Sequence, residues 1–397
     1  MNYIQYIVLF NLLFWASLSN AQKTVSLQEA MDLAIQNYPK LKQQELYVQQ
    51  QKSLRNASKG HPMMSLGYSW DELNFSANQG VHSIYAQQAF NLPEVAKAKQ
   101  ALQDQKAKSG ELQKELTKQQ LLSQVAITYQ QILYTKSKGA IHNQLLAIYK
   151  EFERIAQRKI DVGETGLLPL LAVQTTISQL EAEITKTRRE LPIQLTQLQH
   201  WLLDESINNI SDTGLVLLVL DTTGNTIDQH PSVQVLQQNI QIQEAQKKVI
   251  RSRLTPQIST GLRLQVVDGQ FPYFGGQLGI NVPLFNKGIN TQLKAADLGI
   301  QIQKEQVVWQ EKELSHHRHQ LQLQIEQRLE QIKLLEENIL PKLQQQIALS
   351  QKAYRLGEIE YQHYLQHTKD LASIQYDYLE QLLILNIQIL NYQYLVE

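Results

Sequence analysis

Four short stretches of the chain alternate between apolar and polar residues. From Met64 the even positions are Met64, Leu66, Tyr68 and Trp70, and the odd ones are Ser65, Gly67, Ser69 and Asp71. The next stretch sets Ile84, Ala86, Phe90 and Leu92 against Ser83, Tyr85, Gln87 and Asn91. A third sets Ile258, Leu262, Leu264 and Val266 against Gln257, Ser259, Arg263 and Gln265. The last sets Phe274, Leu278, Ile280, Val282 and Leu284 against Tyr273, Gln277, Gly279 and Asn281. A period of two places successive side chains on opposite faces, so the pattern predicts two pairs of two-faced strands, over 62–92 and 256–285. Asn78-Gln79-Gly80 and Gly269-Gln270 supply the turns between partners. Each stretch is roughly 10–13 residues, the length a tilted strand needs to cross a bilayer. A soluble antiparallel sheet lying on helices alternates in the same way. Four strands cannot close a barrel, and an open edge in lipid leaves backbone groups unpaired. If the strands span lipid the chain must oligomerise, and three copies would supply twelve strands.

Elsewhere the apolar spacing lengthens to three and four. Leu122, Val125, Tyr129 and Ile132, then Ile141, Leu145, Ile148, Phe152 and Ile155, keep one stripe along a helix. Ile325, Leu329, Ile332, Leu335 and Ile339 repeat the spacing, which is that of coiled-coil-like packing. The stripes predict long helices over 94–160 and 289–355, each about 67 residues and about 100 Å at 1.5 Å per residue. Only Gly110 and Gly139 interrupt the first; Pro341 falls inside the second, where it removes a hydrogen bond and predicts a kink. Each ends at a tight break. Arg158 and Lys159 precede Gly163-Glu164, and Arg355 precedes Gly357-Glu358. Basic residues in a last turn, then glycine, then an acid are ordinary helix-end chemistry, so both breaks read as turns of αα-hairpins. Further helices follow over 166–203 and 359–396.

The chain is written twice. Gly163-Glu164, Pro62, Tyr38-Pro39 and Asn91-Leu92-Pro93 recur as Gly357-Glu358, Pro256, His230-Pro231 and Asn281-Val282-Pro283, each about 190–194 residues on. A first repeat over 22–203 and a second over 226–397, joined by a linker or equatorial segment over 204–225, each read helix, two strands, very long helix, break, second long helix. The fold class is mainly α with a small β part.

Composition narrows the function. Lys+Arg and Asp+Glu both total 37, so no basic excess points to nucleic acid. The chain has no cysteine, which excludes disulfides, thiolate metal sites and cysteine nucleophiles. No HExxH, nucleophile elbow, phosphate loop or spaced carboxylate cluster is present. The expectation is no catalytic residue, no resident metal and no cofactor. Tyr6–Ala16 is apolar but for Asn11, and Ser19-Asn20-Ala21 offers small residues for cleavage, so 1–21 reads as an export signal peptide, without Lys or Arg ahead of the apolar run.

The duplicated order of long helix, glycine turn, long helix and strand pairs resembles the TolC-type outer-membrane efflux family. Ala353-Tyr354-Arg355-Leu356-Gly357-Glu358 looks like the family's turn motif, and Gly279-Ile280-Asn281-Val282-Pro283-Leu284-Phe285 like its strand exit into the second long helix. The resemblance implies a homotrimer in outer-membrane lipid, with a twelve-stranded barrel above a helical tunnel in the periplasm. It further implies a periplasmic adaptor and an inner-membrane RND pump as partners. On it, Val162, Gly163, Glu164 and Thr165, with Arg355, Leu356, Gly357 and Glu358, are the adaptor-docking tips. Where some relatives carry acids that constrict the tunnel, this chain has His363 and Gln366, and Pro169 and Ala172 in the first half. His363 and His367 stand four apart, a spacing compatible with a transient cation site. His316, His317 and His319 read as solvated. Leu340-Pro341 ahead of Gly357, with short termini, is most similar to the outer-membrane components of heavy-metal systems, the CzcC and CusC kind. The function implied is a passive duct exporting heavy-metal cations. A duct for drugs or for type I protein secretion, and a periplasmic coiled-coil structural protein, are the competing readings.

Overall fold

The computed structural model describes residues 23–71, 80–220 and 226–395. The export signal over 1–21 and the Asn78-Gln79 part of the first turn lie outside them. Among the described residues no helix is long and apolar enough to cross a membrane.

Helix starts and stops follow local chemistry. Ser26 opens α1 (Leu27–Asn37) with a capping box, in which the Glu29 carboxylate accepts from the Ser26 N–H at 2.8 Å. Pro39 forces Tyr38 into extended backbone and so begins a new helix, α2 (Pro39–Ala57). The first long helix, α3, is unbroken over Pro93–Asp161, and α4 runs Leu168–Leu202. Pro231 opens α5 (Pro231–Ser252), with the His230 ring accepting from the Ser232 N–H at 3.3 Å. The second long helix is α6 (Lys287–Leu334) followed by α7 (Leu340–Leu356), and α8 runs Tyr361–Tyr394. Between α6 and α7 the expected kink takes the form of a π turn over Leu335–Ile339. Pro341 has no N–H to donate, and the preceding Leu340 N–H reaches back five residues to the Leu335 carbonyl.

The chain divides into two compact units. One holds, among the described residues, 40–71, 80–117 and 226–314, and contains a four-stranded antiparallel sheet whose strands neighbour one another in chain order. Its strands are β2 (Ser65–Asp71), β3 (Val81–Phe90), β5 (Gln257–Val267) and β6 (Gln270–Asn281). Register makes the alternation coherent across strands. Tyr68 pairs with Ile84, Ile84 with Leu264, and Leu264 with Phe274. Ser69, Ser83 and Gln265 form a row on the other face. The apolar face is uncovered: Leu262 is 74%, Leu278 77% and Phe274 83% exposed. The β5–β6 turn corrects the sequence expectation by one position. Its two positive-φ residues are Asp268 (φ 43°) and Gly269 (φ 75°), not Gly269-Gln270. An Asp-Gly pair suits a tight hairpin whose central residues both need φ above zero.

The other unit holds, among the described residues, 23–39, 118–220 and 315–395. It contains a feature absent from the sequence expectation: β1 (Lys23–Val25) pairs in parallel with β4 (Ile207–Ile210), which lies within the expected 204–225 linker. Val25, Ile207, Leu198 and Leu202 are buried beside it. The chain after β4 is held by side chains from the long helices. Tyr129 donates to the Asp212 carboxylate at 2.8 Å, and Lys136 donates to the carbonyls of Ile210 and Asp212 at 3.1 and 3.0 Å. Asn386, fully buried on α8, donates to the Val216 carbonyl at 2.7 Å and accepts from the Leu218 N–H at 3.0 Å.

Candidate functional site: the paired helix turns

The two glycine breaks share one backbone solution. Gly163 has φ 75° and Gly357 φ 76°, the left-handed region where a side chain is strained. At the first, the Glu164 N–H donates to the Lys159 carbonyl at 2.8 Å and the Gly163 N–H to Ile160 at 3.0 Å. At the second, Glu358 donates to Ala353 at 2.9 Å and Gly357 to Tyr354 at 3.1 Å. Both are Schellman closures, which satisfy carbonyls that a helix end leaves open.

Packing brings the turns together. Phe152 of α3, Tyr354 of α7 and Tyr364 of α8 form an aromatic triangle with ring centroids 4.3 to 5.8 Å apart. They belong to one buried cluster with Leu145, Tyr149, Val173 and Ile177. Burial raises the Tyr354 and Tyr364 hydroxyl pKa values, and pushes that of Tyr149 up to about 12. All three phenols therefore stay neutral at physiological pH. The Lys159 ammonium lies 5.3 Å from the Tyr354 ring centre, a cation–π contact that ties the end of α3 to the end of α7. A cavity of about 410 Å³ opens between the turns, with Glu164 and Thr165 of the first and Gly357 and Glu358 of the second in its wall.

The expected tip residues thus converge, and several stay outward. Val162, Gly163, Glu164, Arg355, Leu356, Gly357 and Glu358 are exposed, and Thr165 is half-buried. Leu167, Leu168 and Leu171 add exposed apolar surface just beyond the first turn. Glu151 and Arg154 pair at 2.5 Å on α3, and the guanidinium holds the Glu151 carboxyl below its ordinary range.

The residues named for a constriction separate in character. His363 and Gln366 are both exposed on the first turns of α8. The Gln366 amide donates to Asp370 at 2.7 Å, so a carboxylate does stand one helical turn past the expected position. His367 is half-buried, its Nδ1 2.6 Å from the Ser350 hydroxyl of α7. Among the described residues no group of three or more His, Asp or Glu side chains is arranged to hold a metal ion. His316 and His319 are exposed and His317 half-buried on α6. The aromatic triangle and the Lys159–Tyr354 contact escaped sequence reasoning. Their signal was the apolar spacing through Phe152 and the tyrosines at 354, 361 and 364 around Gly357, which do not say which rings meet.

No family model matches the chain, and no curated protein matches it in sequence. Solved structures do match in fold. The chain is 17% identical to CusC, covering 93% of itself and 92% of that chain at a TM-score of 0.77. It is 12% identical to the outer-membrane channel OprN, over 93% and 89%, at 0.78. It is 13% identical to the open state of the Neisseria gonorrhoeae MtrE outer membrane channel, over 93% and 88%, at 0.75. The expected TolC-like fold, a largely helical body with a small β part, is the fold of this chain.

Proposed function

We propose that the chain is the outer-membrane duct of a tripartite efflux system, a passive conduit from periplasm to exterior that works as a homotrimer. One observation carries this reading. The sheet has a continuous exposed apolar face, a polar opposite face, and β2 and β6 as its two edges. An apolar face of this extent calls for lipid, and an edge in lipid calls for a partner strand. Pairing β6 of one copy with β2 of the next closes twelve strands from three copies, with the polar face lining water. The fold shared with CusC, OprN and MtrE supports the same reading.

The two repeats, 22–203 and 226–397, then each contribute one turn to the periplasmic end. The convergence of the Gly163 and Gly357 turns supports their assignment as tips that dock a periplasmic adaptor, itself attached to an inner-membrane RND pump. His363 and Gln366 are the residues for the constriction, and His363 with His367 for any transient cation contact. Heavy-metal cations are the proposed cargo, on the sequence resemblance at Leu340-Pro341. Deleting the gene and screening tolerance to zinc, cobalt, cadmium, copper, silver and common drugs tests this. Loss of metal tolerance is expected; loss confined to drugs would replace the cargo. Release of the protein by osmotic shock, without detergent, would refute the membrane duct.

A further inference from the structure

Building on the duct reading, we infer that the barrel lumen is electropositive and favours anionic solutes. Arg263 is the sole Lys or Arg in the four strands of the sheet, and Asp71, at the end of β2, the sole carboxylate. Arg263 stands on the polar face, in a row that runs Gly67, Tyr85, Arg263, Gly275 across the strands. The row is built to leave the guanidinium clear. The Tyr85 ring lies over Gly67, where an added Cβ would meet it at 2.3 Å, so the ring leans towards β2 and away from Arg263. On the other side, a Cβ at Gly275 would meet only the Arg263 Cβ, at 3.9 Å. Arg263 is exposed, and forms no ion pair among the described residues.

A second tier of positive charge lies at the other end of the strands from Asp71. Asn91, Gln257 and Asn281, all in step with the polar face, line a cavity of about 530 Å³ together with Lys99 and Arg253. No carboxylate lines it. The Arg253 guanidinium donates to the neutral Gln292 amide oxygen at 3.2 Å, which leaves its charge uncompensated. Arg253 also follows the end of α5, where a cation complements the helix dipole; that accounts for neither Lys99 nor Arg263. Gln257 and Arg263 are six positions apart on β5, so the tiers are separated by about 20 Å. At the far turn Asp268 accepts from the Gly80 N–H at 3.1 Å.

In the trimer each tier is repeated three times around a low-dielectric wall, an arrangement that raises the local concentration of anions. A cationic cargo would cross this stretch against the field and an anionic one with it. The lumen is wide and wet, so the field is screened over about 30 Å at 0.01 M salt and about 3 Å at 1 M. The preference should therefore be marked in dilute salt and fade in concentrated salt.

The test is the chloride-to-potassium permeability ratio of the full-length trimer in planar bilayers under a KCl gradient. The ratio should exceed one in dilute salt, and fall by about twofold or more in Arg263→Gln. Arg263→Glu should lower it further, Arg263→Lys should retain it, and Lys99→Gln with Arg253→Gln should lower it independently. Each variant is first confirmed as an SDS-resistant trimer. A wild-type ratio of one or below, or the wild-type ratio in both Arg263→Gln and Arg263→Glu, overturns the inference. A correctly assembled trimer that conducts nothing overturns the duct reading, and the inference with it.

Discussion

Leu262→Arg is the sharpest probe of the membrane assignment. Leu262 is the middle residue of β5, pairs with Ala86 and Gly276, and is 74% exposed on the apolar face. A strand that crosses lipid places this side chain near the bilayer midplane. Arginine there costs about 2–4 kcal/mol per chain, which is about a 30- to 700-fold shift against the inserted state. Three copies in one barrel multiply the penalty. Gln277→Arg is the control: Gln277 pairs with Gly261 on the opposite, polar face of the same sheet and is also exposed. The assay is the fraction of SDS-resistant trimer in outer membranes, followed by its loss on a heat gradient. Leu262→Arg should lower both, and Gln277→Arg should leave both near wild type. Equal assembly of the two variants, or failure of Gln277→Arg alone, would refute the assignment of faces.

Other expectations concern the helical unit. Gly357→Val forces a β-branched residue into φ 76°, at about 1–2 kcal/mol, although a Cβ there meets nothing within 4 Å. Trimers should persist while resistance falls, as read by growth in the efflux substrate; unchanged resistance would count against the docking role. Asp204 has its pKa lowered to about 2, first by the Ser206 hydroxyl and then by Lys23 at 2.9 Å. Its contribution to stability is therefore complete above its ordinary value of 3.8 and lost as pH falls towards 2. Asp204→Asn should flatten that acid limb in helix melts recorded between pH 2 and 5. Asn386→Leu removes the partner of the Val216 carbonyl and of the Leu218 N–H, at about 0.5–1.5 kcal/mol for each hydrogen bond lost. The melting temperature should drop and proteolysis should begin at Val216–Leu218, which mass spectrometry of the fragments would locate.

What could be read from the sequence was what repeats within a few residues. The pleat has a period of two, so the alternation at Leu66, Tyr68 and Trp70, or at Leu262 and Leu264, announced both the strands and their faces. The apolar stripes from Leu122 to Ile132 and from Ile141 to Ile155 announced α3 for the same kind of reason. Pro341 announced a fault, but whether it becomes a bend or a π turn depends on where the Leu340 N–H finds an acceptor. The β1–β4 pair was invisible: three residues starting at Lys23 carry no period, and their partner, beginning at Ile207, is far away in sequence. The site divides along the same line. Gly163 and Gly357 were legible because left-handed backbone selects glycine. The triangle of Phe152, Tyr354 and Tyr364 was not, because three helices supply one ring each and no local pattern records which rings meet.

The matched turns carry a consequence for symmetry. Gly163 and Gly357 repeat one backbone shape within a single chain, so the proposed trimer would present six near-identical knobs rather than three. The side chains do not follow the backbone: Asp161-Val162 precedes one glycine and Arg355-Leu356 the other. A ring of six identical partner subunits would fit every knob by shape, yet meet an acidic and a basic neighbour in alternation. Its members would then fall into two populations, distinguishable by charge reversal at Asp161 or Arg355, even though they share one sequence.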